Sequence, residues 1–189
     1  MIAWHPDDAV PMRALNLKMI ISGGQTGVDR GALDAALAMG FPVGGWCPAD
    51  RSAEDGPIPS RYPLYALERG GYRARTLQNV MDSDATVILA PGDLTGGTRL
   101  TLVFCEQHSR LHLVIDAAQT SEPEAAARIA RFVEQRFIGT LNVAGPRASG
   151  WPGAHDYAKR TIATLLKSVH AGSTRDSAGT ISMQRCFRF

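Results

Sequence analysis

Two glycine-rich stretches carry most of the chemistry that this sequence offers. The first is Ser22-Gly23-Gly24-Gln25-Thr26-Gly27-Val28-Asp29-Arg30, and the second is Pro91-Gly92-Asp93-Leu94-Thr95-Gly96-Gly97-Thr98. Glycine lets backbone amides come close to a ligand, and a helix that starts at such a turn points N–H groups and a positive dipole at an anion. Gly23, Gly24, Gln25, Thr26 and Gly27 would cradle a phosphate through amides and a hydroxyl, and Gly96, Gly97 and Thr98, with Arg99 nearby, would form a second cradle. Two cradles suit a diphosphate or the phosphate of a pterin. No Gly-Lys-Ser/Thr follows the first stretch, so it is not a Walker A loop. It matches only the last two glycines of the dinucleotide fingerprint, with Ser22 in the first position. A tight strand-to-helix turn without a ligand is the other reading of either stretch.

The remaining chemistry-bearing residues each have two readings. Asp29 and Arg30 are a ligand-facing pair, or a first-turn acid and a surface base. Glu54 and Asp55 are the catalytic candidates, as a general base or as acids for ribose hydroxyls or a cation; the alternative is a solvated loop paired with Arg51. Arg75 and Arg147 suit bidentate phosphate binding, or salt bridges to Glu54 or Asp82. Trp46 offers a face for a flat heterocycle, or a core contact. Asn79 and Asn142 offer polar recognition, or turn hydrogen bonds. Cys47 lacks the ligand cluster that zinc needs, and His108, His112 and His155 have no metal-binding spacing, so no metal site is expected. No Gly-x-Ser-x-Gly elbow anchors a hydrolase triad.

These residues must be positioned by strands alternating with helices. The periodicity predicts strands at about 17–22, 42–46, 85–90, 112–115 and 140–144, and helices at about 28–39, 75–82, from the second glycine turn onward, 121–136 and 153–169. Gly40 is placed to end the first helix, and Ser121 with Glu124 forms a capping box for the fourth. The long connection 47–74 holds apolar anchors at Ile58, Tyr62, Leu64, Tyr65 and Leu67, which argue for order. The pattern implies an α/β fold: a single Rossmann-like, doubly wound, mainly parallel sheet flanked by helices. Its domain would span 17–169, after an irregular arm at 1–16 and before a flexible basic tail at 170–189. Ligands in such sheets bind beyond the carboxyl ends of the strands. Both glycine turns, the Trp46 loop and the stretch from Asn142 to Arg147 would gather there.

Composition narrows the function classes. With 44% hydrophobic and 20% charged residues in 189, this is an ordinary globular chain large enough for its own core. The net charge of +2 comes from the tail, where Arg175, Arg185 and Arg188 outnumber Asp176, so residues 1–169 are formally neutral and nucleic acid is not an expected partner. Three widely spaced cysteines fit a reducing cytoplasm better than a disulfide framework. The N-terminus has neither a basic nor an apolar leader region, and no run reaches membrane-spanning length, so no membrane partner is expected.

Several stretches together resemble the putative molybdenum carrier (molybdenum cofactor carrier-like) proteins. They are Ile20 to Arg30, Gly44-Gly45-Trp46-Cys47-Pro48, Ala53 to Pro57, Arg75-Thr76, Asn79-Val80, Asp82 to Thr86, Gly96-Gly97-Thr98 and Leu141 to Arg147. They run in family order across about 19–166, which makes the match specific. The resemblance implies a Rossmann-like relative of the LOG-type phosphoribohydrolases, whose members bind nucleotides or nucleotide-derived ligands. One departure bears on activity. The LOG pattern places a catalytic glutamate two residues after the threonine of a Pro-Gly-Gly-x-Gly-Thr turn, whereas here the turn is expanded, Leu100 holds that position and Glu106 lies two turns further on. The expected role is therefore binding: a carrier or sensor for a small phosphorylated ligand, with the cofactor left open between the molybdenum cofactor and a nucleotide. The alternative is a LOG-like nucleotide-processing hydrolase with Glu54 or Asp55 as base and Arg75 or Arg147 stabilising charge. Self-association as a homo-oligomer is open.

Overall fold

The computed structural model describes residues 15–179, with side chains described up to residue 169. The arm before residue 15 and Cys186 lie outside the described residues. In chain order the elements are β1 (Met19–Ile21), α1 (Val28–Ala38), β2 (Val43–Gly44), β3 (Trp46–Cys47), β4 (Ser52–Ala53), β5 (Gly56–Pro57), β6 (Tyr65–Ala66) and α2 (Tyr72–Met81). They continue with β7 (Ala85–Ala90), α3 (Gly96–Gln107), β8 (Leu111–Asp116), α4 (Glu122–Arg136), β9 (Thr140–Ala144) and α5 (Ala154–Gly179).

Five strands form one parallel sheet in the order β2-β1-β9-β7-β8. The register pairs Leu141 of β9 with both Ile20 of β1 and Ala85 of β7. All six residues of β7 are buried, as expected for a strand covered on both faces by helices. Alternation divides those faces. Ile20, Val87, Leu89, Leu141 and Val143 join a core with α1, α4 and α5, while Val80, Phe104 and Cys105 knit α2 to α3 in a second core. The chain thus winds from β1 through α1 to one edge, and from β7 through α3 to the other. That leaves a topological switch at the carboxyl ends of β1, β9 and β7, where ligands of open α/β sheets bind.

Three local departures from the sequence expectation have physical causes. The strand expected at 42–46 breaks at Gly45, whose φ of 125° turns the chain out of the main sheet. Asn79 then accepts the Trp46 N–H at 2.9 Å and donates to the Trp46 carbonyl at 2.9 Å, replacing a sheet neighbour with a side-chain amide. The 47–71 connection is ordered by a small core of Leu33, Cys47, Ile58, Tyr62 and Leu64, and Arg51 donates to the carbonyls of Leu64 and Tyr62. Tyr65, expected as an anchor, is exposed. Ser121 sits at the N-cap of α4, but its side chain makes no capping bond, so the expected capping box is absent. The last helix continues to Gly179, well past the expected end at 169.

Candidate functional site

The first glycine turn is filled by the protein's own groups. Asp29 accepts the Gln25 N–H at 3.2 Å, and the Gln25 side-chain oxygen accepts the N–H groups of Thr26 at 3.0 Å and Glu54 at 2.9 Å. The first amide of α1, on Val28, donates to the carbonyl of Pro146. A Cβ on Gly24 would stand 2.5 Å from Leu64 Cδ1, and one on Gly27, where φ is 76°, would overlap the backbone at Pro146 and Arg147. These glycines let the 58–64 loop and the β9–α5 connection close over the turn. Ser22 explains the imperfect fingerprint: it is fully buried, and its hydroxyl donates to the Val143 carbonyl at 2.6 Å, tying β1 to β9.

Charged residues around this turn act as fasteners. Arg30 donates to the Gly24 carbonyl at 3.0 Å and grips Asp55 with two bonds, of 2.6 and 2.8 Å. Glu54 accepts from the Thr26 hydroxyl and from the Ser149 hydroxyl at 2.5 Å, and Arg147 lies 3.7 Å away. Burial pushes the Glu54 carboxyl up, but the bonds from Ser149 and Thr26 and the charge of Arg147 outweigh it and hold it below the ordinary glutamate value. The Arg30 bonds likewise hold Asp55 low. Both catalytic candidates are thus engaged carboxylates of lowered basicity, and Arg51, their expected partner, is bonded elsewhere.

The second glycine turn is open. Helix α3 begins at Gly96 after an N-cap, Thr95, whose side chain makes no capping bond. The first amides of a helix have no intrahelical partner, so Gly96, Gly97 and Thr98 direct N–H groups outward. Nothing lies within 4 Å of a Cβ placed on Gly96 or Gly97. This helix start forms one end of a cavity of about 430 Å³, walled by Gln25, by Tyr72, Arg73, Arg75 and Thr76 of α2, by Asp93 to Thr98 with Leu100, and by Gly145, Pro146, Arg147 and Gly150. Arg75 reaches it from the buried side. Its guanidinium packs where a side chain on Gly23 would be and donates to Asp29 at 3.0 Å, while its buried Nε has no protein partner. Burial pushes the Asp29 carboxyl above its ordinary value, and Arg75 and the Gln25 amide only partly offset it.

Of the residues singled out from the sequence, Gln25, Arg75, Gly96, Gly97, Thr98 and Arg147 meet at this cavity. Gly23, Gly24, Thr26, Gly27, Asp29 and Arg30 do not line it and belong to the filled first turn. Trp46 and Asn79 stand toward the other end of α2, where the indole N–H donates to Asp82 at 2.6 Å. Asn142 is buried in the sheet and donates to Thr86 at 3.1 Å. The structure adds Tyr72, Arg73, Asp93 and Leu100. The Gly70-Gly71 pair was the available signal for the first two, since it starts α2 three residues earlier than the expected Arg75. Among the described residues no group of three His, Cys, Asp or Glu side chains is placed to hold a metal ion, and no helix is long and apolar enough to cross a membrane.

Residues 20–166 match the circularly permutated YpsA SLOG family. The crystal structure of the putative molybdenum carrier protein from Syntrophus aciditrophicus SB, at 1.45 Å resolution, superposes with a TM-score of 0.78 at 41% sequence identity, covering 80% of this chain and 96% of that one. No curated protein matches.

Proposed function

The chain belongs to the circularly permutated YpsA SLOG family, and on that premise we propose that it binds a small phosphorylated molecule carrying a nucleotide or pterin ring, as a carrier or sensor. The observation that carries this reading is the uncapped, glycine-lined start of α3 opening into the cavity beside Arg75 and Arg147. Outward N–H groups, a helix dipole and two guanidinium groups together make a site for a phosphate dianion. At about 430 Å³ the cavity lies toward the lower end of the ~300–1,000 Å³ range of small-molecule sites. That size suits one mononucleotide or one phosphorylated pterin rather than a dinucleotide.

The molybdenum cofactor is a phosphorylated pterin, and the kinship with a putative molybdenum carrier makes it one cargo to test. The phosphate end is what these residues fit. The hydrolase alternative would need a base other than Glu54 or Asp55, since both carboxylates are committed to neighbours.

Native mass spectrometry with molybdenum analysis of freshly purified protein tests the proposal against Gly97→Asp. That change places a carboxylate at the helix start, where it favours α3 and repels a phosphate. A phosphorylated molecule present in the wild type and lost in Gly97→Asp is the expected result. A molecule retained equally by the variant would overturn the site.

A further inference from the structure

The cavity lining is of two kinds, and the second says what accompanies the phosphate. The α3 start, Arg75 and Arg147 are polar or charged, whereas Tyr72, Leu94 and Leu100 are aromatic or apolar. Tyr72 is 46% exposed. Among the described residues, the ring pairs are Trp46 with Tyr65, Phe104 with His108 and Trp151 with Tyr157, and guanidinium groups lie over Tyr62 and Phe104. The Tyr72 ring takes part in none of these, and it borders a cavity. The sequence offered Trp46 as a face for a heterocycle or as a core contact, but that indole is bound to Asp82 and set 5.6 Å from the Tyr65 ring, toward the far end of α2.

Helix geometry places Tyr72 where a ring would fall. Tyr72 and Arg75 are three residues apart on α2, so their side chains are neighbours on one helix face, with Cβ atoms about 5–6 Å apart. A ligand whose phosphate meets Arg75 and the α3 amides carries its next group past Tyr72. Resting on the phosphate site above, we infer that Tyr72 is the platform on which the flat heterocycle of the ligand stacks. It is therefore the residue that makes this site prefer ring-bearing phosphates to ring-less ones. Leu94 and Leu100 supply the apolar surround, and the phosphate contacts are independent of the ring.

The test compares three probes by calorimetry: inorganic phosphate, ribose 5-phosphate and AMP. Stacking of a base on an aromatic side chain corresponds to roughly a tenfold or larger gain in affinity. Wild-type protein should bind AMP about tenfold or more tightly than ribose 5-phosphate. Tyr72→Ala should bring that ratio close to unity while leaving phosphate affinity unchanged, Tyr72→Phe should restore it, and Trp46→Phe should not alter it. A ratio unchanged in Tyr72→Ala, or lost in Trp46→Phe instead, overturns the platform and leaves the phosphate site standing. If neither phosphate nor ribose 5-phosphate binds the wild type, the phosphate site itself falls, and the platform with it.

Discussion

Replacing Arg75 by Met should destabilise the protein in a way that only Asp29 explains. The Asp29 side chain is 4% exposed and that of Arg75 14% exposed, with 3.0 Å between the charged atoms. Removing one partner of a buried ion pair costs about 3–5 kcal/mol, chiefly because the other charge is left buried. The partial exposure of Arg75 toward the cavity favours the lower end, about 3 kcal/mol, or a fall in Tm of about 6–12 °C for a domain of this size. The pH dependence has a definite sign. Burial raises the folded Asp29 pKa above its ordinary value near 3.8, so the cost of the ionised form is absent below that value and grows as pH rises through the folded pKa. Without Arg75 the folded pKa moves higher still, and Arg75→Met should lose stability relative to wild type progressively as pH rises from the ordinary carboxylate range toward neutrality. Adding Asp29→Asn, which removes the charge but keeps an acceptor for the Gln25 amide, should recover all but about 1 kcal/mol. Urea unfolding of wild type, both single variants and the double variant across that pH range supplies the cycle. An Arg75→Met protein within about 1 kcal/mol of wild type at the higher pH, or a double variant no more stable than Arg75→Met, would refute the pairing.

Three further outcomes are expected. Gly97→Ala should raise stability by about 0.4–1 kcal/mol, since the position lies inside a helix with open space around it, yet weaken pyrophosphate binding by crowding the helix start; thermal melts and calorimetry read the two effects separately. Gly27→Ala should cost more than the ~1–2 kcal/mol of a left-handed non-glycine residue, because its Cβ would also press on the backbone of Pro146 and Arg147; circular dichroism melts should show a large drop in Tm. Glu54→Gln should remove an acid-sensitive contribution. The folded Glu54 pKa lies below its unfolded value, so its stabilisation is present above the unfolded pKa and lost as pH falls through the folded one, and the variant's Tm should fall less than wild type's on acidification.

The sheet was legible because its signal is local. The run Ala85 to Ala90 is apolar but for Thr86 and is the strand buried on both faces, and Thr140 to Ala144 was bounded by clear turn residues. The site was half legible. Glycine content marked both turns alike, because a glycine needed for a ligand and a glycine needed for close backbone packing look the same in a sequence. Only the fold distinguishes Gly24, pressed by Leu64, from Gly97, which faces open space. Asn142 in the last strand and Asn79 in the second helix were legible as polar residues, yet their partners, Thr86 and the Trp46 backbone, come from distant positions. Tyr72 was hidden by a misplaced helix start: three residues of shift moved it out of the loop and onto the face it shares with Arg75.

On the proposed function, the phosphate sits at the open end of α3 and not in the filled turn before α1. Titration of isotopically labelled protein with inorganic pyrophosphate, followed by amide NMR, tests it most directly. A phosphate at α3 should give saturable shifts largest at the N–H groups of Gly96, Gly97 and Thr98 and at the Arg75 Nε–H, with small changes from Gly24 to Val28. Shifts concentrated on Gly24 to Val28, or no saturable shift at α3, would contradict it.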